Sequence, residues 1–354
     1  MFQRSIFCGV ALAASVLAQS PGAVYTMTNA AGPNSVVVYA RAADGSLGQP
    51  GMLATGGMGT GSGLGSQGSL ALSQDGRWLL AVNAGSNDVS VFSISGGGLT
   101  LRGRQPSGGA MPISVTIHDD LVFVLNAGGS ANITGFRLNE AGMLTPIPGA
   151  QRTLAGSGPA QVSFNPDGSL LVITQKTSNT IETYEVEDGH LEGPFVTPSA
   201  GQEPFGFAFG HRNVLIVSEA FAGTPNKSAA SSYQADDEGR LQVISASVGT
   251  LQTAACWVAV TNNGKYAYAA NAGSSSVSSF AVGRHGDLTL LAPAAGMTPA
   301  GTSPIDLALS GNSQFLYSLA SGTITGFRVA ADGSLTAVAS ASGLPGSTVG
   351  LAAR

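Results

Sequence analysis

Lys176 and Glu219 break a pattern. Short apolar runs of this chain end in Asn29-Ala30, Asn83-Ala84-Gly85, Asn126-Ala127-Gly128 and Asn271-Ala272-Gly273, but two comparable runs end in Gln175-Lys176 and Ser218-Glu219. A carboxylate at such a place can take a proton from water, and an ammonium can hold a developing oxyanion. Glu203 and Asp306 add acids in the segments just before other runs, and Arg152 is a cation that could approach them. Glu219, Lys176 and Glu203 are therefore the candidate catalytic groups. Asn83, Asn126, Gln161, Trp257, Asn271 and Asp306 are the candidate substrate-binding groups. A structural alternative stands beside each. Asn favours left-handed backbone and side chain-to-backbone turn bonds, so a repeated Asn-Ala-Gly also reads as a turn device. An isolated acid or lysine also reads as one half of a surface ion pair.

Other chemistries find less support. Cys8 lies in the leader described below, so Cys256 is the lone thiol of the mature chain. It has no partner for a disulfide and no histidine beside it to activate it. The four histidines (His118, His190, His211, His285) are scattered without metal-ligand spacing, so no metal and no cofactor are expected. Gly63, Gly65 and Gly68 match a dinucleotide-type glycine pattern, but a strand rather than a helix follows them. The stretch 55–68 that holds them reads instead as a mobile flap.

The elements that must carry these residues follow from a repeat. Asp44-Gly45-Ser46-Leu47, Gly96-Gly97-Gly98-Leu99, Ala141-Gly142-Met143-Leu144, Asp188-Gly189-His190-Leu191, Glu238-Gly239-Arg240-Leu241, His285-Gly286-Asp287-Leu288 and Asp332-Gly333-Ser334-Leu335 recur at an even period. Within one copy, 162–164 reads as an inner strand and Asn165-Pro166-Asp167-Gly168 as a turn. The spans 170–174 and 180–186 read as two more strands, and Asp188-Gly189 turns into a fourth. Four strands per repeat and no sustained helical periodicity predict an all-β, seven-bladed β-propeller. Six or eight blades are the alternatives. The N-terminal strands (24–28, 35–39) lack an inner strand, and 347–352 supplies one, so the two ends close the ring in a single blade.

A four-stranded meander, with strands A to D from the axis outward, also sorts the loops. The D-to-A and B-to-C connections share one face, here the top. The A-to-B and C-to-D turns share the other. The candidate residues fall on the top and the histidines on the bottom. A second irregular insertion, 221–228, also leaves blade 5 on the top.

Residues 1–18 read as a secretory signal. Arg4 provides the positive start, 6–17 is an apolar run too short to span a bilayer, and Val16 and Ala18 form a small-residue cleavage site. The remaining 19–354 read as one propeller domain. A secreted protein is expected, extracellular or periplasmic. Charged residues are 10% of the chain and the net charge is −5. With no basic stripe, neither nucleic acid nor a membrane surface is an expected partner. A monomer acting on a small molecule is expected. Asn132 and Asn226 lie in glycosylation sequons.

The stretches Gln67 to Gly76, Ala81 to Phe92 and Pro159 to Gly168 resemble the seven-bladed lactonase family, which includes propeller-type 6-phosphogluconolactonase and 3-carboxymuconate cyclase. The likeness runs through the mature chain. It implies a small lactone hydrolysed in a top-face funnel, or a muconate closed to a lactone by a cycloisomerase. A propeller that binds a small ligand or glycan without catalysis is the remaining alternative.

Overall fold

A computed structural model describes residues 21–96, 98–236 and 238–354. Seven four-stranded antiparallel sheets form seven blades, each a simple meander. Blade 4 is typical: Pro159–Phe164 is strand A, Leu170–Gln175 B, Thr180–Glu187 C and His190–Pro198 D. Blade 5 is built from Pro204–Phe209, Leu215–Glu219, Ala229–Ala235 and Leu241–Gly249. Blade 6 uses Ala255–Val260, Tyr266–Asn271, Ser276–Val282 and Leu288–Met297. The expected strand order is the observed one, and the only helices among the described residues are two short 3-10 turns, His211–Asn213 and Phe221–Gly223.

Blade 1 joins the two ends. Val349–Ala353 pairs with Gly22–Met27, Val24 opposite Ala353. Arg354 N–H donates to Ala23 O at 2.9 Å, and Arg41 Nε donates to Arg354 O at 3.2 Å. The first N-terminal strand is thus paired on both sides and leaves no edge toward the axis. The expected leader, 1–18, lies outside the described residues.

The repeat has a packing cause. Its glycines turn strand C into strand D with left-handed backbone, φ +92° at Gly45 and +82° at Gly333. A Cβ on Gly45 would meet Phe315 of blade 7 at 2.3 Å, and one on Gly333 would meet Tyr266 of blade 6 at 2.4 Å. Glycine therefore serves both the turn and the contact between blades. Buried tyrosines reinforce that contact: Tyr317 donates to Gly45 O at 2.8 Å and Tyr268 to Gly333 O at 2.9 Å. The leucines that follow, such as Leu144, Leu191 and Leu241, are buried in clusters shared by adjacent blades.

Candidate functional site

Strand geometry decides where the candidate residues point. Side chains of a B strand stand perpendicular to the blade, so they face neighbouring blades rather than the axis. The pairings Pro159 with Gln175, Pro204 with Glu219, Ala255 with Asn271 and Pro112 with Asn126 put these four polar residues at one equivalent place. Gln175, not Lys176, therefore stands where other blades carry Asn. Lys176 is one residue further on, where the others carry alanine.

Asn83, Asn126 and Asn271 are fully buried, so they do not ring the mouth as expected. Asn83 Nδ2 donates to Asp88 at 2.7 Å and Ser90 at 2.8 Å, and its Oδ1 accepts from Thr55 and Asn34 of blade 1. Asn126 Nδ2 donates to Asn132 and Ser107 O, and Asn271 Nδ2 to Ser276 and Ser278. These are polar seams at the top of the blades. The turn alternative does not describe these three either: none has left-handed backbone, and their amides bond mainly to side chains of the strands around them.

Glu219 is enclosed in the same kind of seam. It is fully buried, accepts from Ser247 Oγ at 2.6 Å and from Ser231 Oγ, and burial raises its pKa. Glu182 of blade 4 is also fully buried; it accepts from Ala155 N–H at 2.6 Å, Gly156 N–H at 3.0 Å, Gln175 Nε2 and the Tyr184 hydroxyl. Neither acid lines a cavity at the mouth.

Gln161 and Asp306 occupy equivalent places on A strands, two residues after Pro159 and Pro304. Adjacent A strands do not pair as a sheet, and these side chains join them. Gln161 accepts from Phe207 N–H at 2.7 Å and donates to Phe207 O at 3.1 Å. Asp306 accepts from Leu307 N–H at 2.9 Å and from Leu351 N–H of blade 1. Burial pushes its carboxyl well above the usual carboxylate range. Trp257 is buried, donates from Nε1 to Ser66 O at 2.9 Å and lies 4.9 Å from the Phe205 ring. Arg152 is engaged by Gly149 O, Gln151 O and Leu191 O, not by the other candidates.

Two candidates do converge. Lys176 and Glu203 line one top-face cavity of about 260 Å³ with Thr177, Asn179, Gln202 and Ala222. Glu203 sits in left-handed backbone, φ +59°, held by its N–H to Asn179 Oδ1 at 2.6 Å. Its Oε2 accepts from Ala222 N–H at 2.6 Å, in the insertion 221–228. Lys176 Nζ donates to Gly65 O at 2.6 Å and lies 4.6 Å from the Phe205 ring centre. Burial lowers the Lys176 pKa, and the nearby Cys256 and Glu203 oppose that shift. The Cys256 thiol is pushed up to about 12, first by burial, so it is not a ready nucleophile.

The expected mobile flap is a tied plug. Asn29 holds Thr60 in both directions, its Nδ2 donating to Thr60 Oγ1 and its Oδ1 accepting from Thr60 N–H. Ser66 Oγ donates to Ile113 O, and Gln67 N–H to Ala160 O. The Gln67 side chain accepts from Val258 N–H at 3.0 Å and donates to Val258 O at 2.8 Å. Leu64 packs against two hydrophobic clusters. Beyond blade 1, these anchors reach blades 3, 4 and 6, which a glycine-rich composition does not reveal. Sequence reasoning also missed Phe205, Asn179 and the Ala222 N–H as parts of the site. The proline that opens strand A in blades 4, 5 and 7 and the irregular 221–228 were the available signals.

Comparison with known proteins agrees with this architecture. A family model described as "Lactonase, 7-bladed beta-propeller" matches residues 23–154. No curated protein matches in sequence. Among solved structures, a Lactobacillus plantarum protein is 17% identical with TM-score 0.77, covering 94% of this chain and 99% of that one. A Bacteroides fragilis protein provisionally described as a 6-phosphogluconolactonase is 20% identical with TM-score 0.73, covering 95% and 98%. A periplasmic gluconolactonase of Pseudomonas aeruginosa is 16% identical with TM-score 0.70, covering 93% and 98%. Seven complete blades make this chain a seven-bladed β-propeller, and over residues 23–154 it is similar to the family described as a seven-bladed lactonase.

Proposed function

We propose that this protein is an exported lactonase that opens a small, neutral lactone in the cavity between Lys176 and Glu203. The observation that carries the reading is that Lys176 and Glu203 share a top-face cavity, whereas Asp88, in another top-face cavity, is paired with Arg104 and bonded by Asn83, and Glu219, Glu182 and Asp306 are enclosed. Glu203 has one oxygen bound by Ala222 N–H, which leaves Oε1 to take a proton from water. The water oxygen bonds to the acyl carbon, and the carbonyl oxygen becomes an oxyanion. Lys176 Nζ stabilises that charge, exchanging its bond to Gly65 O for one to the substrate. Collapse breaks the ring C–O bond, and the leaving oxygen recovers the proton from Glu203. One water is consumed and a hydroxy acid is released.

The single ammonium is offset by the carboxylate, which suits an uncharged sugar lactone, the class named for the Pseudomonas relative. A volume of about 260 Å³ suits one ring. Export rests on the leader-like segment 1–18 and the periplasmic location named for that relative. A monomer is the working form, with neither membrane nor nucleic acid as partner.

Mature protein titrated in a pH-stat against gluconolactone and butyrolactone tests this reading. Saturable acid release above the spontaneous rate is expected. Saturable binding without turnover on either lactone would sink it in favour of a binding module.

A further inference from the structure

Three of the chain's 15 lysines and arginines meet in one groove on the bottom face. Arg212 lies in the A-to-B turn of blade 5, Lys265 in the A-to-B turn of blade 6 and Arg284 in the C-to-D turn of blade 6. With His211 they line a cavity of about 600 Å³ between blades 5 and 6, and no Asp or Glu among the described residues lines it. Asp287, in the same turn as Arg284, packs against Gly283 and makes no ion pair with any of the three. The ion pairs of the described residues engage Arg77, Arg104, Arg137, Arg240 and His118 instead.

The turns bearing these cations are fixed. Arg212 is held in left-handed backbone, φ +58°, and Gln234 Nε2 donates to its carbonyl at 3.1 Å. Gly264, also left-handed, lets the His211 ring lie directly on the next turn, where a Cβ would meet His211 Cδ2 at 2.5 Å. Lys265 N–H donates to Asn263 Oδ1 at 3.0 Å. Buried Val214, half-buried Val282 and Tyr266 form an apolar lining. The groove between blades 4 and 5 has the opposite character, lined by Glu185, Glu187, Glu192 and Asp236.

We propose that the groove between blades 5 and 6 binds an organic polyanion of about two or three sugar rings, with carboxylate or sulfate groups on a partly apolar frame. Three cations without an ion pair among the described residues, on separate, tied turns, define several anion positions at once. The volume is that of a ligand-sized cleft, not of a single inorganic anion. The acidic neighbour repels the same ligand, which confines it to one groove. The site lies on the face opposite Lys176 and Glu203, so it is independent of lactone turnover.

Calorimetric titration of the mature protein with citrate and with trigalacturonate tests the proposal. One saturable site per chain is expected for at least one probe, weakened by added salt. Preference for the uronate supports an acidic glycan as the ligand, whereas preference for the much smaller citrate would overturn the size assigned to it. The combined Arg212→Asn, Lys265→Gln and Arg284→Gln variant should lose affinity on the order of tenfold or more, as three partly exposed ion pairs imply. It should keep the wild-type melting temperature, because no ion pair among the described residues holds these side chains and Asn suits the left-handed position. Lys176→Met should leave binding unchanged. Absence of saturable binding by both probes would overturn the proposal. So would equal weakening by a control variant with Arg102→Gln, Lys227→Gln and Arg328→Gln, since general charge attraction would then explain the effect.

Discussion

Glu203 and Glu219 lie near the top of the same blade in opposite circumstances. Glu219 ends a strand, so the pleat turns it sideways into a buried seam where two serines occupy its oxygens. Glu203 lies just before a strand, in a left-handed residue that breaks the pleat, and lines a cavity beside Lys176. In a propeller the difference of one or two residues across a strand end separates scaffold from candidate chemistry. Glu182 and Asp306 belong with Glu219: each is buried, and each joins strands or connections that lack other pairing.

The largest expected effect falls on the open pair. Lys176→Met and Glu203→Gln should each lower kcat/KM on a lactone that the wild type hydrolyses by about a hundredfold or more, the usual cost of losing an oxyanion donor or general base. Melting temperatures should change little, which separates the loss from unfolding. Next comes Glu182→Ala, which leaves two backbone N–H groups, an amide and a hydroxyl without their acceptor. We expect a loss of about 3 kcal/mol in denaturant unfolding. An unchanged midpoint would place Glu182 outside the scaffold.

Smaller effects read the protonation of the enclosed acids. Burial raises the carboxyls of Asp306 and Glu219 in the folded chain, so folding favours their protonated forms. That stabilisation is complete below the unfolded carboxylate range and is lost as pH rises through the folded values. Asp306→Asn should therefore raise the melting temperature at about pH 8 by about 2–4 °C per kcal/mol recovered, and leave it nearly unchanged at about pH 4. Glu219→Gln should behave in the same direction with a smaller gain, since its partner serines offset the cost of burial. A gain at acid pH alone would reverse this assignment.

The fold was legible because its cause repeats: each x-Gly-x-Leu records one turn and one contact between blades. The faces were legible from the meander. The site was legible only in part. Lys176 and Glu203 were identified, but the offset that separates Lys176 from Gln175 depends on strand register, which a repeat of loosely spaced apolar runs does not specify. Asn83, Asn126 and Asn271 drew notice for a regularity that belongs to the seams. The plug at 59–67 could not be read from its glycines, because its anchors are backbone groups of distant blades. The basic groove was invisible for the same reason: Arg212, Lys265 and Arg284 become neighbours only when blades 5 and 6 pack.

The most direct measurement compares Glu203→Gln with Glu219→Gln on one lactone turned over by the wild-type protein. Glu203→Gln should lose about a hundredfold or more in kcat/KM while Glu219→Gln stays within about threefold. The reverse result, an active Glu203→Gln beside an inactive but folded Glu219→Gln, would contradict the distinction between the open and the enclosed acid.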